Sequence, residues 1–236
     1  MTQPSPLRRS FFITGTDTGV GKTLFSCALL QAAANAGFST AAMKPVAAGG
    51  VQTATGLRNE DALLLQAACT EALSYEEVNP VCLETAVAPH IAAAHAQRRL
   101  KVERIAGFCQ GLLMRRANLT VIEGAGGWRV PLNDNETLAD LCKQLKLPVI
   151  LVVGIRLGCL NHALLTAEAI YRDGLALAGW VANTIDPDMP ERFANVATLQ
   201  KLLPAPLIAN IPWLPSADIA QAAALVDITG LLSARA

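Results

Sequence analysis

Apolar, β-rich runs alternate along this chain with longer segments of helical spacing, and no other feature restricts the fold as much. The runs cover residues 11–14, 40–43, 119–122, 149–153, 178–182 and 207–211. Between them, residues 22–36, 102–116, 137–145, 161–172 and 191–202 carry helical periodicity or good helix formers. Neighbouring strands joined through helices run parallel, so the alternation predicts an α/β fold: a doubly wound, mainly parallel sheet flanked by helices. A hydrophobic content of 52% suits strands covered on both faces. No linker-like stretch divides the 236 residues, and the chain reads as one domain with residues 1–9 as a flexible N-terminal extension.

Behind the first apolar run comes Gly15-Thr16-Asp17-Thr18-Gly19-Val20-Gly21-Lys22-Thr23, which opens onto a helical pattern. Glycines let backbone N–H groups form a concave nest, and the helix N-terminus adds partial positive charge, so strand, turn and helix together suit a phosphate. In such a loop Lys22 meets the terminal phosphates and the Thr23 hydroxyl holds Mg²⁺. The strict phosphate-loop spacing puts glycine where Thr16 stands, so this is a P-loop variant. Capping of a surface helix alone would not account for the strand before it.

Composition excludes several classes. Nineteen basic residues balance nineteen acidic ones, which gives nucleic acid or an anionic membrane no electrostatic footprint. The apolar run behind Arg8 and Arg9 is too short for a signal-peptide core, and residues 147–155 make about half a membrane span. Six cysteines without Cys-x-x-Cys pairing read as reduced thiols of a cytoplasmic protein. Cys159, at a helix start, could have a lowered pKa, but a buried thiol serving as a small hydrophobe is the preferred reading, and no chemistry is assigned to it.

Ligands of doubly wound sheets bind beyond the carboxyl ends of the strands. After the second run, Pro45 holds Lys44 extended, beside the phosphate loop, where a second lysine could offset anionic charge. After the third, Glu123 precedes Gly124-Ala125-Gly126-Gly127, an arrangement that resembles a metal-holding strand-end carboxylate and lets backbone approach a nucleotide. A tight turn with a solvated glutamate would look the same locally. Asp61 falls in the first turn of a short helix, where an acidic residue also serves the helix dipole. Asn183-Thr184-Ile185-Asp186 is a degenerate echo of a base-reading signature and an ordinary turn sequence as well. Gly158-Cys159-Leu160-Asn161 opens a helix whose N–H groups could take a carboxylate, as any helix start could.

These segments occur together in an order that resembles the dethiobiotin synthetase family of ATP-dependent cyclo-ligases. The matching pieces include residues 15–23, Lys44-Pro45-Val46-Ala47, Gly56-Leu57-Arg58-Asn59-Glu60-Asp61-Ala62, Asn79-Pro80, Ala88-Pro89-His90, residues 123–128 and 148–154, residues 157–163, residues 178–183 and Ile211-Pro212-Trp213-Leu214. The resemblance spans nearly the whole chain. It implies a reaction in which 7,8-diaminopelargonate, CO₂ and ATP give dethiobiotin, ADP and phosphate through a carbamate. It further implies that Thr18, Gly19, Val20, Gly21, Lys22 and Thr23 cradle the triphosphate, with Thr18 near the carbamate. Lys22 and Lys44 would stabilise the carbamate and the transferring phosphate. Thr23, Asp61 and Glu123 would surround Mg²⁺, and Gly124, Ala125 and Gly126 would approach the nucleotide. Asn183, Thr184, Pro212, Trp213 and Leu214 would hold adenine. Ala48 would face the substrate, and Gly158, Cys159, Leu160 and Asn161 would receive its carboxylate from a neighbouring subunit, so the working unit would be a homodimer.

Two positions depart from the family pattern. Ala48 stands where serine is common, so backbone or water must replace a hydroxyl contact, and Gly19 stands where several relatives carry an acidic residue. Two rival classes share the loop. A partition-type switch ATPase of the deviant P-loop group carries a lysine at the loop start, where this chain has Gly15-Thr16. A GTP-dependent switch has a lysine in its base motif that is absent beside Asn183.

Overall fold

The computed structural model describes residues 8–232. The chain opens with β1 (Arg9–Gly15), α1 (Lys22–Asn35) and β2 (Thr40–Met43). A run of short elements follows: β3 (Val46–Ala48), β4 (Val51–Thr53), β5 (Gly56–Arg58), α2 (Glu60–Ala68), α3 (Tyr75–Val78), β6 (Val81–Leu83) and α4 (Pro89–His95). Regular alternation resumes with α5 (Val102–Leu113), β7 (Leu119–Glu123), α6 (Leu138–Leu145), β8 (Val149–Ile155), α7 (Cys159–Arg172), β9 (Leu177–Thr184), α8 (Arg192–Leu202) and β10 (Leu207–Ile211). Helices α9 (Ile219–Ala223) and α10 (Thr229–Leu232) close the described part. Residues 1–7 of the expected extension lie outside the described residues. Arg9 belongs to the sheet instead, its N–H donating to the Asn118 carbonyl at 2.8 Å.

Six strands form one sheet in the order β10-β9-β8-β1-β7-β2, and every pairing in it is parallel. The predicted doubly wound sheet is therefore present. From β1 the chain crosses toward β2, whereas from β8 it steps the other way to β9 and β10. Right-handed crossovers then place α1 on one face and α5 to α8 on the other. The packed pairs agree, with α1 against α9, α5 against α6 and α7 against α8. The reversal makes the crevice beyond β1 a topological switch point, where ligands of such sheets lodge.

The central strands are apolar because both faces are covered. All of β8 is buried, and Phe12, Ile13, Phe25, Leu29, Ile122 and Trp180 are fully enclosed. Trp128, beyond β7, meets Phe12 edge-on at 6.3 Å and donates from Nε1 to Asp173 at 2.8 Å, tying the loop after β7 to the end of α7. Between β2 and α5, two small sheets take the place of alternation: β3 pairs parallel with β6, and β4 with β5 as an antiparallel hairpin. No described helix is long and apolar enough to cross a membrane.

Candidate active site

The phosphate loop leaves β1 at the switch point. Thr16 donates its N–H to Val152 on β8 at 3.0 Å, and Val20 is buried. Gly21 has φ 90°, and a Cβ there would lie 2.1 Å from Asn183 Nδ2, so both the backbone twist and the space demand glycine. Lys22 then starts α1, which has no side-chain cap. Its first-turn N–H groups thus lie at the loop, ready for an anion. Lys22 Nζ donates to the Asp17 carbonyl at 2.9 Å. Burial, followed by the nearby charge of Lys44, brings its ammonium down to about 8.

Opposite stands a buried charge cluster. Glu123, at the end of β7, is wholly enclosed. Its Oε1 accepts from Lys44 Nζ at 2.7 Å and from Thr23 Oγ1 at 2.8 Å, while Oε2 is buried without a hydrogen-bond partner. Asp61 Oδ2 lies 2.8 Å from Lys44 Nζ. Burial disfavours the Lys44 ammonium, but Glu123 and Asp61 outweigh it and hold Lys44 above the ordinary lysine range. For Asp61 burial again opposes the charge, and the charge and hydrogen bond of Lys44 prevail, keeping its carboxyl below the usual range.

A relay of side chains sets Lys44 and Asp61 in register. Asn79 donates to the Lys44 carbonyl at 2.6 Å and accepts from Tyr75 at 2.9 Å. The same Tyr75 oxygen accepts the Asn59 N–H at 2.7 Å. Asn59 caps α2 by accepting from Ala62, which fixes the first turn where Asp61 sits. The relay is buried, so each polar group in it needs its partner.

Thr23, Asp61 and Glu123 offer a hydroxyl and two carboxylates, the hard oxygen set that Mg²⁺ takes. The orphaned Glu123 Oε2 fits that role, since a buried carboxylate oxygen calls for a donor or a cation. Among the described residues, no group of three or more His, Cys, Asp or Glu side chains is arranged to hold a metal.

A cleft of about 630 Å³ opens above this cluster. Of the residues selected from the sequence, Thr18, Gly19, Gly21, Lys22, Thr23, Lys44, Ala48, Asp61, Ala125 and Gly126 line it. Glu123 reaches Thr23 and Lys44 from beneath. Gly124 lies against β1, its N–H donating to the Ile13 carbonyl at 2.9 Å. Asn183 and Thr184 are buried at the end of β9, and Asn183 donates to the Val20 carbonyl at 2.9 Å, behind the phosphate loop. Pro212, Trp213 and Leu214 follow β10, the outermost strand, and do not line the cleft. Nor do residues 158–161, which begin α7. The Cys159 thiol is pushed up by burial, so the helix start does not activate it.

Sequence reading gave no site role to three contributors. Residues 86–89 and Val130 also line the cleft. Pro89 carried a signal there, since proline favours the first turn of a helix and does open α4. Tyr75 and Asn79 stand four residues apart, on α3 and its C-cap, but nothing local announces that the pair reaches Lys44 and Asn59. Arg156, just beyond β8, pairs with Asp17 of the phosphate loop at 2.6 Å; its signal was its place after a buried strand.

Residues 9–221 match a family model described as an AAA domain. The chain is 57% identical to the ATP-dependent dethiobiotin synthetase BioD of Cellvibrio japonicus, covering 96% of this chain and 99% of that one. It is 54% identical to the protein of the same name in Pseudomonas paraeruginosa, over 94% and 97% of the two chains. The counterpart in Aromatoleum aromaticum is 48% identical over 98% and 100%. Among solved structures it is similar to the MinC:MinD cell division protein complex of Aquifex aeolicus, with TM-score 0.57, 16% identity and coverage of 91% and 92%. The signal recognition particle 54 kDa protein of Aeropyrum pernix gives TM-score 0.55 at 16% identity, covering 92% of this chain and 44% of that one. Those two likenesses show the P-loop fold, whereas identity over nearly the full length of its sequence relatives shows that the chain belongs to the ATP-dependent dethiobiotin synthetase family.

Proposed function

We propose that this protein closes the cyclic urea of dethiobiotin from 7,8-diaminopelargonate, CO₂ and ATP, releasing ADP and phosphate. The observation that carries the reading is the meeting of Lys22, Lys44, Thr23, Asp61 and Glu123 at the head of a phosphate loop beside an open cleft. One substrate amine adds to CO₂ and loses a proton, giving a carbamate. A carbamate oxygen attacks the γ-phosphorus and ADP leaves. The second amine attacks the carbonyl carbon of the resulting carbamic-phosphoric anhydride, and phosphate departs as the ring closes.

Residues 18–23 bind the triphosphate through loop N–H groups, Lys22 and the Thr23 hydroxyl. Lys44 has three N–H donors and gives two of its directions to Asp61 and Glu123, which leaves one for a carbamate or phosphate oxygen in the cleft. Thr18, which lines the cleft, would orient the carbamate. Mg²⁺ held by Thr23, Asp61 and Glu123 would offset charge on the phosphates. Asn183 and Thr184, with Pro212, Trp213 and Leu214, form the adenine end of the site. Substrate contact at Ala48 falls to its backbone. The carboxylate tail is received by residues 158–161 of a second copy, which makes the working unit a cytoplasmic homodimer and the described chain a single synthetase domain. Placement of 158–161 outside the chain's own cleft is consistent with that division.

The test is ADP release with ATP, Mg²⁺ and bicarbonate, with and without the diamine, followed by mass detection of the cyclic urea. Diamine-dependent release with dethiobiotin formed is expected. Hydrolysis that ignores the diamine would return the partition-type switch ATPase.

A further inference from the structure

We propose that Arg156 is a positioning residue of the nucleotide site, acting through Asp17. Asp17 lies in the bend of the phosphate loop and is engaged from three directions. Its Oδ1 accepts the Thr18 N–H at 2.8 Å, its carbonyl accepts Lys22 Nζ at 2.9 Å, and its Oδ2 pairs with the Arg156 guanidinium at 2.6 Å. The first two contacts set the direction of the loop and the parking place of its lysine. The third comes from outside the loop, from the residue that directly follows β8.

The arrangement poses a charge problem that Arg156 solves. A loop that must receive a triphosphate carries a carboxylate of its own, half-exposed beside the cleft residue Thr18. Without a cation on Oδ2, that carboxylate would repel the incoming phosphates and compete for Lys22. Arginine stays charged at every working pH and meets a carboxylate with a rigid fork, so it cancels the charge while holding the side chain in place. Strand β8 also fixes the loop through the Thr16 N–H bond to Val152, so the guanidinium and the backbone contact hold adjacent loop residues to one strand.

The inference rests on the reading of this cleft as an ATP site, and the experiment separates the two. Product formation by the unmodified protein tests that reading. Titration of MgATP without diamine, on wild type, Arg156→Gln, Arg156→Lys and the double variant Arg156→Gln/Asp17→Asn, tests the role of Arg156. The pair is partly solvated, so an increase of about threefold in Kd is expected for Arg156→Gln. The turnover number at saturating ATP should stay near wild type, and the affinity difference should shrink at high salt. Arg156→Lys should retain most of the affinity. The double variant should recover it, because the unpaired carboxylate is gone; a merely structural role would not be rescued by removing the partner. Unchanged affinity in Arg156→Gln, or a double variant at least as weak as the single one, would overturn the proposal.

Discussion

Glu123 and Lys44 touch in the floor of the cleft, yet the regions that supply them are built by different means. Glu123 ends β7, a wholly buried strand flanked on both sides by parallel neighbours. Lys44 opens the segment between β2 and α5, whose strands are three residues long. The sheet holds its carboxylate through apolar burial and backbone ladders. The segment holds its lysine and Asp61 through single side-chain hydrogen bonds among Asn79, Tyr75 and Asn59. The sheet should therefore unfold only globally, whereas the segment can open locally while the rest stays folded. On the proposed reading, the phosphate end of the site would rest on the rigid region and its substrate-facing wall on the more yielding one.

The contrast can be broken at its strongest point with Phe12→Ala, which should remove about 3–5 kcal/mol from global stability in denaturant titration. A loss below about 1 kcal/mol would mean that the sheet is not the rigid partner. Lys44→Ala tests the junction. Turnover should fall about 100-fold or more while ATP binding is largely kept. The melting temperature should drop further without Mg²⁺ than with it, because two carboxylates lose their shared cation. Equal melting in both conditions would count against Thr23, Asp61 and Glu123 as the metal site. Asn79→Ala sharpens the description of the segment: leaving the Lys44 carbonyl and Tyr75 unpaired should cost about 1–3 kcal/mol. Hydrogen exchange should speed up around residues 44–48 and 75–83 and remain slow in β1 and β8; uniform acceleration would dissolve the distinction.

The smallest expected effect lies on the sheet side, at the capping box of α6. The Asp140 carboxylate accepts from both the N–H and the hydroxyl of Thr137 at 2.8 Å. Burial raises its pKa, but those bonds and Lys143 outweigh it and bring the carboxyl below the usual aspartate range. A depressed pKa contributes stability above the ordinary aspartate range that is lost as pH falls through the folded value. Asp140→Ala should thus cost about 1 kcal/mol at neutral pH. The gap to wild type should close in acid, and a gap constant from pH 7 to pH 3 would contradict the assignment.

How much was legible in the sequence follows the same division. Strand β8 could be read from residues 149–153 because a strand covered on both faces must be continuously apolar, and the phosphate loop because its glycines answer a local backbone demand. Helix α7 starts two residues earlier than its periodicity suggested, since Gly158 in a left-handed conformation admits Cys159 to the first turn. Helix α5 stops at Leu113 rather than running to Arg116, whose φ of 65° ends the helical backbone. Between β2 and α5, three-residue strands give no period to detect, and the relay from Lys44 through Asn79 and Tyr75 to Asn59 is defined by contacts up to 35 residues apart. Lys44 was legible as a strand-end lysine, but its place between two carboxylates was not, because that depends on where α2 docks.

The contact between Gly21 and Asn183 carries a consequence for redesign. With Asn183 Nδ2 only 2.1 Å from where a Cβ on Gly21 would stand, the loop proposed to hold phosphates and the strand proposed to meet the base share a single steric allowance. A library that varies position 183 to change nucleotide preference is therefore also a library of phosphate-loop geometries. Enlarged side chains there should fail for every triphosphate alike, so on the proposed reading selection for a new base would begin at residues 212–214, which do not line the cleft beside the loop.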